Sequence, residues 1–141
     1  MNTGPSRKER ALELLRANRL HEARALCEEV AHSENNAGAW HLLGVIHGML
    51  GNLGETEACC RKAIALRPDY AEAHGNLGAA LDRLGRPDEA VASLREALRL
   101  KPDYPEARAS LGDTLSRLGR LEEAIAAYRH LLVLDPDAAD I

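Results

Sequence analysis

The sequence has no phenylalanine and few other aromatic residues, 3% in all, so its core cannot be built on stacked rings. Hydrophobic residues still fill 45% of the 141 positions. Leu, Ala, Ile and Val must therefore supply the interior. Leu and Ala are strong helix formers, and strand-favouring residues are scarce. The composition points to an all-α chain about one domain long.

Other absences bear on function. There are only three cysteines, Cys27, Cys59 and Cys60. The number is odd and two are adjacent, on side chains that diverge along a helix, so no disulfide framework is expected. A reducing compartment, the cytoplasm, fits best. Residues 1–20 carry Arg7, Lys8, Glu9, Arg10 and Glu13 without an apolar stretch, which argues against a secretory signal. No run of apolar residues is long enough to span a bilayer. Positive charge is in deficit as well. Lys plus Arg number 18 against 22 for Asp plus Glu, a net of -4. Neither nucleic acid nor a membrane surface is an expected partner. Phosphate-binding glycine motifs, nucleophile elbows and zinc-ligand spacings are also missing. We therefore expect no catalytic residues, no cofactor and no metal.

What the sequence does have is a period of 34. Gly44, Gly78 and Gly112 keep it, as do Gly51, Gly85 and Gly119, and Pro68, Pro102 and Pro136. Leu43, Leu77 and Leu111 run in phase, and each of the three prolines is followed by Asp. Such a period marks a repeat architecture. The middle copy reads as two helices. Ala71 to about Arg83 makes the first, with Leu77, Leu81 and Leu84 on one stripe. Gly85 suits a left-handed cap. Pro87 suits the first turn of the second helix, and Asp88 and Glu89 suit its N-terminus. Lys101-Pro102 ends it. Gly78, Ala90 and Ala97 are small enough to let the two axes approach closely, and Gly112 with Ala124 and Gly44 with Ala63 are expected to repeat this contact. The N-terminal stretch is a degenerate copy, because Asn18-Arg19-Leu20-His21-Glu22-Ala23 resembles Gly119-Arg120-Leu121-Glu122-Glu123-Ala124. It predicts helices near 6–17 and 20–33, with Leu12, Leu15, Leu26 and Val30 inward.

The chain resembles the tetratricopeptide repeat proteins. A bulky residue, Leu-Gly, Ala and Pro occur in the family's order as Trp40, Leu43-Gly44, Ala63 and Pro68, and again as Leu77-Gly78, Ala90, Ala97 and Pro102. The third copy has Leu111-Gly112, Ala124 and Pro136. Thr56, His47 and Leu131 depart from the usual Ala, Tyr and Ala. The resemblance implies a right-handed α-solenoid of antiparallel helix pairs. Its parts would be a degenerate repeat at 1–36 and full repeats at 37–70, 71–104 and 105–138. It also implies a non-catalytic scaffold whose first helices line a concave groove holding a peptide or helix of a partner protein. The repeat phase places His41, Val45, Met49, Asn76, Ala79, Arg83, Ser110, Asp113 and Arg117 on that wall, together with Leu42, Glu72, Asp82 and Glu106. Arg83 and Arg117, one period apart, are suited to carboxylates. Of the Lys/Asn/Arg clamp that some family members close on a C-terminal carboxylate, only Asn76 is matched. His41, Val45, Glu106 and Ser110 stand at the other positions.

Two further expectations remain. Asp69-Tyr70-Ala71-Glu72-Ala73-His74-Gly75-Asn76-Leu77-Gly78 is similar to repeats that precede bacterial glycosyltransferase or sulfotransferase domains, which implies that the chain could be the repeat region of a larger transferase. The segment Leu121–Leu134 is apolar around more of its circumference than one neighbour can bury, which suggests a homodimer contact. His47 and Cys60 are expected to point toward each other, either as polar packing or as a thiol–imidazole pair.

Overall fold

A computed structural model describes residues 4–134, with side chains as far as Leu132. Among these residues the backbone forms eight α-helices and no strand. They fall into two compact units, divided between Pro68 and Asp69. The first contains α1 (Arg7–Arg16), α2 (Leu20–Glu34), α3 (Ala37–Met49) and α4 (Leu53–Leu66). The second contains α5 (Ala71–Arg83), α6 (Pro87–Leu100), α7 (Pro105–Arg117) and α8 (Leu121–Leu134). Within each unit, consecutive helices pack against one another. Pro136 and Asp137 of the third copy lie outside the described residues.

The expected punctuation is present. Gly51, Gly85 and Gly119 take φ of 81°, 80° and 77°. At the middle one, Gly85 N donates to Asp82 O at 3.0 Å and Arg86 N donates to Leu81 O at 2.9 Å. This closure uses carbonyls that the helix end leaves unpaired. Asn18 fills the same role in the degenerate copy at φ 58°, with Arg19 N donating to Leu14 O at 2.9 Å. Asparagine is among the few residues that tolerate this region. Lys101, before Pro102, leaves the helix at φ -137° and ψ 87°, as proline requires of its predecessor. Where the first junction lacks proline, side chains stop and restart the helix. Asn36 Oδ1 accepts from Ala39 N at 2.8 Å, and Asn35 Oδ1 accepts from Trp40 Nε1 at 2.9 Å.

The small residues do bring the helices together, though the opposing groups differ from those expected. A Cβ at Gly78 would meet Leu94 Cγ at 2.6 Å and Ala90 O at 3.2 Å. Gly112 lies against the Tyr128 ring, at 2.7 Å from such an atom, and this ring is nearer than Ala124. Gly44 faces Cys59 and Cys60, which are nearer than Ala63. At Gly78 and Gly112 a large side chain fills the space the glycine vacates, and at Gly44 two cysteines do, so the contact interlocks rather than simply narrows. Leu94, Leu111, Leu115, Val91 and the buried alanines form a continuous core in the second unit.

Four positions depart from the inward stripe. Leu84 is exposed because it is the residue at which α5 ends. Leu12, Leu15 and Leu26 are only half-buried, whereas Val30 is buried as expected. α1 packs chiefly on α2 and buries the narrow face of Ala11 and Leu14.

These contacts predict opposite outcomes for two glycine substitutions measured by urea unfolding. Gly78→Ala should destabilise by about 1–2 kcal/mol, since the clash with Leu94 outweighs the gain in helix propensity. Gly54→Ala, where a Cβ meets nothing within 4 Å, should stabilise by about 0.5 kcal/mol. A neutral or stabilising Gly78→Ala would contradict the close approach.

Candidate functional site

The first helices of the second unit, α5 and α7, lie side by side. Between them Asn76, Ala79 and Ser110 line a cavity of about 100 Å³ together with Gly75, Tyr104 and Glu106. The repeat phase had placed the first three and Glu106 on one wall, and the structure brings them together. It adds Tyr104, which the phase did not reveal. Its hydroxyl would lie 2.8 Å from a Cβ at Gly75, so only glycine there leaves the ring in place. Lys101 Nζ lies 4.8 Å from the centre of that ring and pairs with Glu72 at 3.3 Å.

The charged half of the wall is more committed than its sequence suggests. Arg117 donates to the Asp82 carboxylate, tying α7 to α5. That bond holds the Arg117 guanidinium above its usual range. Asp113 accepts from the Tyr128 hydroxyl, and this contact raises the phenol above its usual range. Arg83 is exposed and forms no ion pair among the described residues. Of the two periodic arginines, Arg83 is the one available to an incoming carboxylate. The correction concerns Arg117, whose position is paired from within.

In the first unit His41, Leu42 and Val45 are half-buried and Met49 is exposed. Lys8 of α1 reaches α3, its Nζ 3.6 Å from a Cβ built at Gly38. His47 is buried. Asn52 Nδ2 lies 3.3 Å from its Nδ1, and its Nε2 faces Glu28 Oε1 at 3.9 Å. Thr56, in the usual alanine position, is satisfied by donating to Gly44 O and Asn52 O, both at 3.1 Å.

Each unit also carries a cavity on its second-helix side that repeat phase alone did not single out. In the first unit about 210 Å³ is enclosed by Glu28, His32, Trp40, His47, Cys59 and Lys62, among others. Lys62 Nζ sits 4.3 Å from the centre of the Trp40 ring, and His32 meets that ring edge-on at 5.1 Å. His47 thus shares its cavity with Cys59; Cys60 does not line it. In the second unit about 360 Å³ is bounded by Arg95, Arg108, Leu111, Glu123, Ala127 and His130. Trp40 and Arg108 stand two periods apart, as do Lys62 and His130. That correspondence was the signal available in the sequence. Among the described residues no group of three or more His, Cys, Asp or Glu could hold a metal ion.

Comparison with known proteins settles the family. Two tetratricopeptide-repeat profiles match, over residues 35–103 and 76–139. The chain belongs to the tetratricopeptide-repeat family. A crystal structure of MamA superposes with a TM-score of 0.83 at 23% identity, covering 93% of this chain and 77% of that one. A double mutant described as MamA RS-1 ArsTM gives 0.84 at 24% identity, covering 92% and 74%. An O-GlcNAc transferase mutant from Thermobaculum terrenum gives 0.72 at 35% identity, covering 77% of this chain. The match spans 21% of that enzyme's length. No curated protein sequence is significantly similar. The fold class expected from the sequence, an all-α helical-repeat solenoid, is the fold of these neighbours.

Within the tetratricopeptide repeats the three cysteines act as small core residues. All are buried and free. Burial pushes the Cys27 and Cys59 thiols up to about 11, with Glu55 adding to the effect at Cys59. Cys60, the most deeply buried, is pushed up to about 12. A protonated, enclosed thiol is a poor nucleophile. No helix among the described residues is long and apolar enough to cross a membrane. The folded chain at pH 8 should therefore leave Ellman's reagent almost unreacted, and all three thiols should react once it is unfolded in urea. Rapid labelling of any thiol in the native chain would contradict their packing role.

Proposed function

We propose that the chain is a non-catalytic protein-interaction scaffold, built from repeats at 37–70, 71–104 and 105–138 behind a degenerate copy at 1–36. Its first-helix face binds a peptide or helix of a partner. The observation that carries this reading is the cavity between α5 and α7, where Asn76, Ala79 and Ser110 converge beside Glu106. It has room for one small side chain, with an amide and a hydroxyl to fix a peptide's polar groups. Arg83 supplies a nearby cation, and Arg117 is held by Asp82. Val45 and Met49, with the His41 imidazole beside them in sequence phase, supply the corresponding first-helix face of the first unit, and Asp113 stays bound to Tyr128. Family membership supports the coarse reading, a surface for protein partners.

A second reading is favoured by the 35% identity to the O-GlcNAc transferase: the chain is the repeat region of a larger transferase. Sequencing the locus beyond the codon for Ile141 decides this. An open frame leading into a transferase domain supports it, and a stop codon removes it. We also infer that α8 carries a contact between copies of the chain, because its outward face is apolar.

The groove is tested by selecting binders from a displayed random-peptide library and measuring their affinities by anisotropy. Asn76→Ala or Ser110→Ala should each weaken binding by about 1 kcal/mol, the value of a hydrogen bond between neutral groups. Acidic peptides should lose roughly tenfold on Arg83→Glu and far less on Arg117→Glu. Binders that ignore all four substitutions would exclude this face.

A further inference from the structure

The outer face of α8 carries Leu121, Ile125, Tyr128 and Leu132, exposed by 58%, 49%, 36% and 42%, with one side of the Tyr128 ring seated against Gly112 of α7. Steps of four, three and four residues set these side chains in one narrow seam along the helix. The seam is symmetric about its middle. Leu121 and Leu132 are equally distant from the point between Ala126 and Ala127, and so are Ile125 and Tyr128. Such a seam is complementary to itself when a second copy crosses it antiparallel on a two-fold axis through that point. Leu121 then meets Leu132 of the second copy, and Ile125 meets its Tyr128.

The flanks of the seam agree with this register. On one flank lie Glu122 and Arg129, both exposed and neither in an ion pair among the described residues. Antiparallel pairing sets Glu122 of each copy against Arg129 of the other, giving two symmetric ion pairs. The next acid along, Glu123, is already engaged by Arg120 at 2.8 Å and by Arg95. On the other flank Ala124 is buried and Leu131 half-buried, and the one carboxylate nearby, Asp113, is already held by the Tyr128 hydroxyl. Parallel pairing would instead set Glu122 and Arg129 of each copy against the uncharged Ala124 and Leu131 flank of the other, with no ion pair gained.

We propose that the chain forms a two-fold dimer through an antiparallel α8–α8 pair in this register, with Glu122–Arg129 bridges selecting the orientation. The proposal rests on the reading of α8 as a contact between copies. The four seam residues expose on the order of 300 Å² per copy. A standard stable interface takes about 800 Å² per partner. The dimer is therefore weak and reversible, forming at micromolar concentrations and above.

Sedimentation equilibrium at low salt, over a wide range of concentration, tests it. Glu122→Arg and Arg129→Glu should each weaken the dimer roughly tenfold, because each turns two attractive pairs into two repulsive ones. An equimolar mixture of the two variants should associate at least as well as the unaltered chain, since both pairs are then opposite in sign. Far-UV circular dichroism should be unchanged by either substitution. A chain that stays monomeric to high micromolar concentration overturns the proposal and the self-association reading together. A dimer that ignores both charge reversals, or a mixture that fails to associate, overturns the register and leaves self-association standing.

Discussion

Each of the three 34-residue copies in this chain depends on the close approach of its two helices at one crossing point. The first helix contributes glycine there, at Gly44, Gly78 or Gly112, and the second contributes whatever fills the space. Leu94 fills it in the middle copy, the Tyr128 ring in the last, and the Cys59–Cys60 pair in the first. With little aromatic mass available, the interior relies on interlocking aliphatic side chains at crystal-like density, and the glycine sets how near the axes can lie. The caps follow from the same need. A left-handed residue after each first helix, glycine in the three full copies and Asn18 in the degenerate one, turns the chain sharply enough for the second helix to return along the first.

The consequences reach the surface. In the last copy the ring that fills the Gly112 notch also donates its hydroxyl to Asp113, so an acid on the first-helix face is fixed by a core contact. In the second unit Asp82 and Arg117 join neighbouring first helices and withdraw one of the two periodic arginines from outside use. The face that remains combines a small polar notch, lined by Asn76, Ala79 and Ser110, with the exposed Arg83 further along α5.

Much of this was legible in the sequence because it is periodic. The 34-residue spacing of Gly, Leu and Pro located the helices and their caps. Even the degenerate copy was aligned correctly by Asn18, whose side chain class tolerates positive φ. Features that depend on pairs of side chains were not legible. Arg117 and Asp82 are 35 positions apart, and nothing in their spacing says that they meet. Tyr104 over Gly75 and Tyr128 over Gly112 needed the helix rotation to be known. The leucines of α1 were misassigned for a related reason: a helix with one main neighbour buries a narrower face than a 3.6-residue stripe suggests.

On the proposed reading a partner is held at the first-helix face of the second unit and not at the second-helix cavities around Trp40 and Arg108. Amide chemical-shift mapping of the isotope-labelled chain, titrated with a selected peptide, separates the two most directly. Perturbations concentrated on α5 and α7 around Asn76, Ala79 and Ser110, with the Trp40 and Arg108 surroundings unmoved, are the predicted result. Perturbations centred on Arg95, Arg108 and His130, or on Trp40 and Lys62, with α5 silent, would contradict it.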